Sequence, residues 1–390
     1  MRTLVALLAL SLTSALSFAQ PAPAPTLVSP EVHADGTITF RYVSTTAKSV
    51  GVALEGTPTI PMVAGDGGVW TVTTAPMLPE YYGYRFVVDG QRVLDSRNVV
   101  IRPNLLNAGS VVHVTAAVAQ PWDLTDVPHG ATHHHLYRSK LAGEDRDLYV
   151  YTPPGYDARR KAAYPVLYLL HGLSDGADGW LGAGQANLIL DNLLAQGKIK
   201  PMMVVMPLGY GTMRMITEPA ATRPANSTLG KDSQAMFTDQ LLHEIMPMID
   251  ASYNTAHDAE HRAMAGLSLG GAQTIATGLN HPEVFHYIGA FSSALATGDP
   301  SVRAGTATEA TYNNIFATLV PQTATQAPFS LVWTSCGNED GLINVNRRFG
   351  VWAKANVKGK VVINETPGMH TWLVWRDNLV AFAPLLFAGK

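Results

Sequence analysis

Short apolar runs alternate with helical patterns along the second half of the chain, and this order limits the fold more than any other feature. The runs are continuous, as in strands that are buried on both faces of a largely parallel sheet. They lie at 166–170, 202–206, 262–265, 287–291, 330–335 and 360–363, after two further β segments at 132–139 and 146–151. Helical patterns lie at 186–196, 233–249, 271–280, 343–355 and 372–387. The pattern predicts an α/β domain with a mostly parallel sheet and helices on both faces.

The first part of the chain has a different character. Up to about residue 114, short β segments are broken by turn signals such as Asp35-Gly36 and Asp89-Gly90, and no helical period appears. This spacing predicts a small all-β, immunoglobulin-like sandwich over 26–115. Residues 116–130 are interpreted as a linker, and 131–390 as the α/β domain.

The N-terminal residues indicate export. Arg2 precedes an apolar run at 4–12, and small residues end this region at Ser17-Phe18-Ala19. We interpret 1–19 as a secretory signal peptide, because a membrane-spanning helix needs about 20 apolar residues. The alanine and proline tract at 20–25 predicts a stiff, extended leader. The expected protein is secreted or periplasmic, with no membrane partner.

Composition and charge exclude several classes of protein. Hydrophobic residues make up 47% of the chain and charged residues 15%, which is enough apolar material for a large core. The formal net charge is −3 and no long basic block occurs, so a nucleic-acid partner is not expected. The single cysteine, Cys336, excludes a disulfide within the chain, and its apolar neighbourhood favours a buried thiol over a catalytic one.

One motif points to chemistry. Residues 266–270 read GLSLG, which matches the G-x-S-x-G turn between a strand and a helix that raises a serine hydroxyl above the backbone. The turn strains the backbone of the serine, and glycines on either side avoid steric collisions. The motif follows the third apolar run counted from 166–170, as expected of an α/β-hydrolase core. Ser268 is therefore the candidate nucleophile.

A serine hydroxyl needs a base, and the base needs an acid that fixes its tautomer. In the α/β-hydrolase fold the order along the chain is serine, acid, histidine. His370 is the candidate base, because the other two histidines downstream of Ser268, His281 and His286, lie beside the helix and strand that support the serine. Asp340 is the candidate acid since it follows an intervening strand, and Glu339 next to it is the alternative.

The same chemistry requires donors for a developing oxyanion. The N–H of Leu269 is one candidate, because it follows the serine at a helix N-terminus. The second is the N–H of Leu173 in the loop that follows 166–170. His171 is expected to order that loop through hydrogen bonds.

Taken together, these residues resemble the esterase D-like α/β-hydrolases, in particular carbohydrate esterase family one. The resemblance runs from about His134 to the C-terminus, and 26–115 looks like the early-set β-sandwich of some such esterases, related to glycogen-binding modules. It is carried by RDLYVYTPPGY (146–156), LLHG (169–172), Trp180, NLILDNLLAQG (187–197), PMMVVMP (201–207), GLSLGG (266–271), GNED (337–340) and GMHTWLVW (368–375).

The resemblance implies a serine carboxylic ester hydrolase that acts on acylated plant polysaccharide. A feruloyl esterase acting on arabinoxylan is the first expectation and an acetyl xylan esterase the second. Siderophore esterases of the enterochelin type and mycolyltransferases are enzyme alternatives. A glycan-binding protein that has lost catalysis is the alternative from another class.

Aromatic residues suggest how an acyl group is held. Trp180, Tyr210 and Trp372 are candidates to line an acyl pocket, and each could instead be a packing residue. An aromatic, methionine-bearing pocket would suit a phenolic acid better than acetate. No cofactor or metal is expected: the run at 133–135 is three histidines on a strand, which would point to alternate faces.

Overall fold

A computed structural model of the protein describes residues 27–218, 222–224, 227–296, 298–320 and 328–388. The predicted signal peptide at 1–19 and the extended leader at 20–25 lie outside these residues. Within the described ranges, no helix combines the length and apolar character needed to cross a bilayer.

The N-terminal region is a sandwich of two antiparallel sheets, as predicted. One sheet has the order β1-β2-β6-β5, and the other has the order β4-β3-β7-β10-β9, with β8 also paired to β7. Inward-facing residues such as Phe40 and Phe86 are fully buried between them. The strands are β1 (Glu31–Val32), β2 (Ile38–Val43), β3 (Val50–Leu54), β4 (Ile60–Pro61), β5 (Val63–Ala64), β6 (Val69–Thr73), β7 (Glu80–Val88), β8 (Gln91–Val93), β9 (Ile101–Arg102) and β10 (Gly109–Val114).

The second region is built on an eight-stranded sheet of order β11-β12-β14-β13-β15-β16-β17-β18. The strands from β14 to β18 are mutually parallel, whereas β12 is antiparallel to both of its neighbours. Every residue of the central strands β13 and β15 is buried, which explains their unbroken apolar sequences. The strands are β11 (Ala131–Ser139), β12 (Glu144–Thr152), β13 (Val166–Leu170), β14 (Met203–Pro207), β15 (Arg262–Leu267), β16 (Tyr287–Phe291), β17 (Phe329–Gly337) and β18 (Gly359–Thr366).

Helices cover both faces of this sheet, which confirms the predicted α/β-hydrolase architecture. One face packs a core that includes Phe237 and Phe316, and the other packs a core that includes Trp180 and Phe382. The helices are α1 (Gly179–Gly182), α2 (Ala186–Ala195), α3 (Arg214–Thr217), α4 (Leu229–Gln240), α5 (Met246–Ser252), α6 (Leu269–Gly278), α7 (Pro300–Arg303), α8 (Glu309–Leu319), α9 (Ile343–Asn356) and α10 (Trp372–Phe382). A π-helical segment at Leu241–Ile245 joins α4 to α5, so the single helix expected at 233–249 has three parts.

Helix α8 was not anticipated from the sequence. Only Tyr312 and Phe316 of this helix are buried, so its apolar stripe is too narrow to stand out as a period. A capping box between Thr308 and Thr311 marks where it begins. The sequence feature that marks α8 is therefore this pair of polar capping residues and not a hydrophobic pattern.

The segment between β10 and β11 has no helix or strand but packs closely on α2. The side-chain amide of Asn192 donates to the carbonyls of Pro121 and Asp123, each at 2.9 Å. Trp122 is buried against the same face. The α/β region therefore holds this connection at 121–123, whereas 115–119 are exposed.

Candidate active site

Ser268 lies at a sharp turn between β15 and α6. Its φ of 52° and ψ of −112° place a non-glycine residue in a strained backbone region. The turn is held by a hydrogen bond from the Ser268 N–H to the Phe291 carbonyl at 2.8 Å. Its glycines are sterically required: a Cβ on Gly266 would lie 2.6 Å from the Gly270 backbone, and one on Gly270 would lie 2.5 Å from the His171 carbonyl oxygen.

Three polar side chains meet at the carboxyl edge of the parallel strands. Asp340 follows β17, and His370 lies between β18 and α10. The Nε2 atom of His370 lies 3.0 Å from the Ser268 Oγ, and its Nδ1 lies 2.7 Å from the Asp340 Oδ2. Residues more than 100 positions apart thus form one hydrogen-bonded chain, because the strands that carry them run parallel and end at the same edge.

The surroundings of Asp340 fix the tautomer of His370. Burial raises the pKa of this carboxyl, but hydrogen bonds from His370 and from the Leu342 N–H outweigh burial and hold the pKa below its usual range. Asp340 is therefore an anion that accepts the Nδ1–H proton, which leaves Nε2 as an acceptor for the serine hydroxyl. The Trp375 ring packs perpendicular to the imidazole, with ring centroids 4.9 Å apart.

The alternative acid occupies a different environment. Glu339 is exposed, and it contacts the histidine loop through its backbone, with a hydrogen bond from the Glu339 N–H to the Gly368 carbonyl at 2.9 Å. Of the two acids considered from the sequence, the structure brings Asp340 to His370.

The loop after β13 lies against the serine. A Cβ on Gly172 would touch the Ser268 Cβ at 3.4 Å and would lie only 2.6 Å from the Leu267 Cδ1, so a larger residue here would push the Leu267 side chain aside. The next residue is Leu173, and Leu269 opens α6 on the other side of Ser268. Among the hydrogen bonds of the described residues, neither of these two N–H groups has an acceptor. Both donors are therefore free, and their role as an oxyanion site stays a prediction.

His171 joins two loops beside the site. Its Nδ1 lies 2.8 Å from the Gly172 carbonyl, and its Nε2 accepts the Gly209 N–H at 2.9 Å, which requires a neutral ring with the proton on Nδ1. Burial lowers the pKa of His171 to about 4, only partly offset by the Gly172 carbonyl. The expected ordering role agrees with these contacts.

This burial predicts a pH-dependent stability. Between pH 6.5 and 4 the unfolded chain binds a proton at His171 that the folded chain does not, so the free energy of unfolding should fall as the pH falls. Between pH 7 and pH 5 the loss from this residue should be about 2 kcal/mol. Urea unfolding of wild type and His171→Gln at both pH values measures it. His171→Gln should be less stable than wild type at pH 7, but its free energy of unfolding should fall less between pH 7 and pH 5. An equal fall in the two proteins would contradict the prediction.

The three aromatic residues proposed to line an acyl pocket are buried. Trp180 donates its indole N–H to the Leu170 carbonyl at 2.9 Å and packs edge-on against Trp372. Tyr210 is fully buried, and its hydroxyl donates to backbone carbonyls of the loop after β13. The structure thus gives all three a packing role beneath the site and no ligand-facing surface.

The three consecutive histidines have separate partners. In hydrogen bonding, His133 pairs with the Thr152 hydroxyl at 3.2 Å, His134 with the Asp147 carboxylate at 3.0 Å, and His135 with the Tyr253 hydroxyl at 2.6 Å. In the part of the chain that the structure describes, no group of three or more His, Cys, Asp or Glu side chains is arranged to hold a metal ion. Cys336 is buried in β17, and burial raises the pKa of its thiol to about 12.

Two contacts at the site come from the N-terminal sandwich and were not foreseen. The Glu55 carboxylate accepts the Trp372 N–H, and the Asn104 amide donates to the loop that contains Leu173. Glu55 and Trp372 are 317 positions apart, and neither Glu55 nor Asn104 belongs to a recognisable motif. Only the docking of the two regions reveals them.

Comparisons with known proteins indicate the family of this chain. Residues 139–386 match the family model Esterase, described as "Putative esterase". An endo-1,4-beta-xylanase/feruloyl esterase of Xylanibacter ruminicola is 29% identical over 372 residues, which cover 92% of this chain and 46% of that protein. The chain thus spans about half the length of this relative.

Solved structures show the same fold. A CE1 ferulic acid esterase of Anaeromyces mucronatus superposes with a TM-score of 0.55 at 24% identity, over 68% of this chain and 93% of that one. The enterobactin esterase of Shigella flexneri superposes with a TM-score of 0.64 at 17% identity, over 90% and 93%. Since the family model matches well over half of the residues and the fold agrees, this chain belongs to the Esterase family.

Proposed function

We propose that this protein is a carboxylic ester hydrolase that uses Ser268 as nucleophile, His370 as general base and Asp340 as the acid that orients the base. The observation that carries the proposal is the hydrogen-bonded chain from the serine Oγ to the buried carboxylate, with distances of 3.0 and 2.7 Å. A strained serine joined to a histidine of defined tautomer is the arrangement that acyl transfer requires.

The geometry supports a two-step reaction. His370 removes the hydroxyl proton as the Ser268 Oγ attacks the ester carbonyl, and the N–H groups of Leu269 and Leu173 stabilise the oxyanion. His370 then gives the proton to the departing alcohol, which leaves an acyl-enzyme. Water attacks this ester by the same route and restores the serine. Asp340 stays ionised throughout and stabilises the imidazolium.

We further propose that the substrate is an acylated plant polysaccharide and that the acyl group is ferulate. The Xylanibacter relative, whose name includes feruloyl esterase, aligns over both regions of this chain. A cavity of about 290 Å³ also lies at the serine's edge of the sheet, beyond the loop that carries Leu173. Apolar and aromatic side chains line much of it, including Leu105, Tyr149, Leu208 and Met213. Its volume exceeds what an acetyl group needs.

An enterobactin-type siderophore ester is the second candidate. The Shigella esterase superposes over 90% of this chain, whereas the Anaeromyces esterase superposes over 68%. Electrostatics argue against this candidate, because the carboxylates of Asp147 and Asp178 face the same cavity. They would repel an iron-bound catecholate, which is an anion, but they can accept hydrogen bonds from neutral sugar hydroxyls. The proposed place of action is outside the cytoplasm, as 1–19 indicates.

Release of acids from natural substrates tests the proposal. With feruloylated arabinoxylan, acetylated xylan and a dihydroxybenzoyl-serine ester as substrates, kcat/KM for ferulate should exceed that for acetate by about 10-fold or more, because the aromatic ring gains apolar contacts that acetate lacks. Chromatography of the released acids measures both rates, with Ser268→Ala as the blank. Faster release of acetate would instead identify an acetyl esterase, and preference for a dihydroxybenzoyl-serine ester would favour the siderophore candidate.

A further inference from the structure

The sandwich supplies an N-terminal cap to a helix of the α/β region. Trp372 is the first residue of α10, and its N–H therefore has no partner within the helix. Thr371 stands at the capping position but makes no side-chain capping hydrogen bond. The Glu55 Oε1 accepts the Trp372 N–H instead, at 3.0 Å. A carboxylate at a helix N-terminus also interacts favourably with the helix dipole.

Glu55 is itself held firmly within the sandwich. Its Oε2 accepts the Gly83 N–H at 2.9 Å and the Arg102 guanidinium at 3.0 Å, and only 11% of its side chain is exposed. Gly83 leaves the necessary space, because a Cβ there would lie 3.0 Å from the Glu55 Oε2. One oxygen of the Glu55 carboxylate is thus hydrogen-bonded to the α/β region, and the other is hydrogen-bonded within the sandwich. Since α10 begins two residues after His370, this bridge fixes the end of the loop that carries the proposed base.

A second bridge reaches the other side of the serine. The Asn104 side-chain amide donates to the Ser174 Oγ at 3.0 Å and to the Asp175 carboxylate at 2.9 Å, and the Leu105 N–H donates to the Ser174 carbonyl at 2.7 Å. Ser174 has a φ of 76°, which is unfavourable for a residue other than glycine. The sandwich therefore holds a strained residue next to Leu173, the proposed oxyanion donor.

Further contacts join the two regions along α10. Arg376 of α10 is 1% exposed, donates to the Tyr81 carbonyl at 2.8 Å and pairs with Glu80 at 2.9 Å. Leu373 of the same helix packs against the core of the sandwich. The helix that follows His370 thus lies against the sandwich along its first turns.

We propose that the β-sandwich is a positioning element for ester hydrolysis: Glu55 caps α10 and thereby places His370, and Asn104 fixes the loop that places Leu173. This inference rests on the proposed function. Glu55 is a positioning residue, because it acts on the reaction through the loop it holds. Asn104 positions its loop in the same way, and it also lines the cavity proposed for the acyl group.

Steady-state kinetics of the full chain with methyl ferulate test the inference. Glu55→Ala should lower kcat by about 10- to 100-fold while KM changes by less than about threefold, since small displacements of a catalytic group have effects of that size. Glu31→Ala is the control, because Glu31 also pairs with an arginine of the same sandwich, Arg41 at 2.7 Å, but is more exposed than Glu55. It should retain wild-type kcat. Glu55→Gln keeps one oxygen that can accept the Trp372 N–H, and its kcat should lie between those of wild type and Glu55→Ala.

Asn104→Ala provides the second arm and should also lower kcat; only kcat is compared for this variant, because Asn104 also lines the cavity proposed for the acyl group. Each variant is assayed at temperatures where circular dichroism shows it folded, and amide hydrogen exchange at Trp372 should be faster in Glu55→Ala. A kcat within twofold of wild type for folded Glu55→Ala, or a loss that cooling reverses, would overturn the inference. Wild type and Ser268→Ala are run alongside: if Ser268→Ala remained active, the proposed function itself would fail, which is a separate result.

Discussion

Ser268→Ala and His370→Ala are each expected to lower kcat for ester hydrolysis by at least about 10⁴-fold, because nucleophile and base act as one unit and the loss of either stops acyl-enzyme formation. For the same reason the double variant should be hardly less active than either single one. The fold should persist: Ser268 is held through its backbone, and the His370 side chain is partly exposed, so neither change opens a core cavity.

A nitrophenyl acetate assay combined with near-ultraviolet circular dichroism measures both quantities. Labelling with a fluorophosphonate adds a direct readout, because wild type should be modified at Ser268 and the Ser268→Ala variant should not. Turnover near the wild-type level in either alanine variant, with the fold intact, would refute the proposed roles of these residues.

How much the sequence predicted depends on the range of the interactions involved. The sheet could be predicted from the sequence because its strands are buried on both faces, so that β13 and β15 appear as continuous apolar runs. The turn around Ser268 was readable because its glycines avoid contacts as short as 2.5 Å. Strand burial and the steric limits of the turn are local constraints, and each determines the residue types within a short segment of the sequence.

The candidate site could be predicted only in part, because some of its features depend on burial and on contacts between residues far apart in the sequence. Chain order predicted Ser268, His370 and Asp340, and the structure brings these three side chains together because the carboxyl ends of parallel strands meet at one edge of a sheet. Chain order could not distinguish a ligand-facing aromatic residue from a buried one, and Trp180 is fully buried. The contribution of Glu55 depends on how two separately folded regions dock, and no periodicity or motif encodes that docking.

Asp340→Asn is expected to lower kcat by about 10⁴-fold, because it should reverse the tautomer of His370. The Oδ1 of Asp340 accepts the Leu342 N–H at 2.8 Å while Oδ2 faces the imidazole Nδ1. An asparagine that keeps its oxygen towards Leu342 must turn its NH₂ group towards Nδ1. The imidazole would then carry its proton on Nε2, where it could no longer accept the serine proton.

Glu339→Gln is the matched control, since it makes the same chemical change one residue earlier in an exposed side chain. Its kcat should stay within about twofold of wild type, because neutralising a solvated surface charge changes little in the site. Kinetic measurements on the two variants side by side decide between the acids. A large loss in Glu339→Gln with little loss in Asp340→Asn would require the loop after β17 to rearrange, so that the carboxylate at His370 came from Glu339 and not from Asp340.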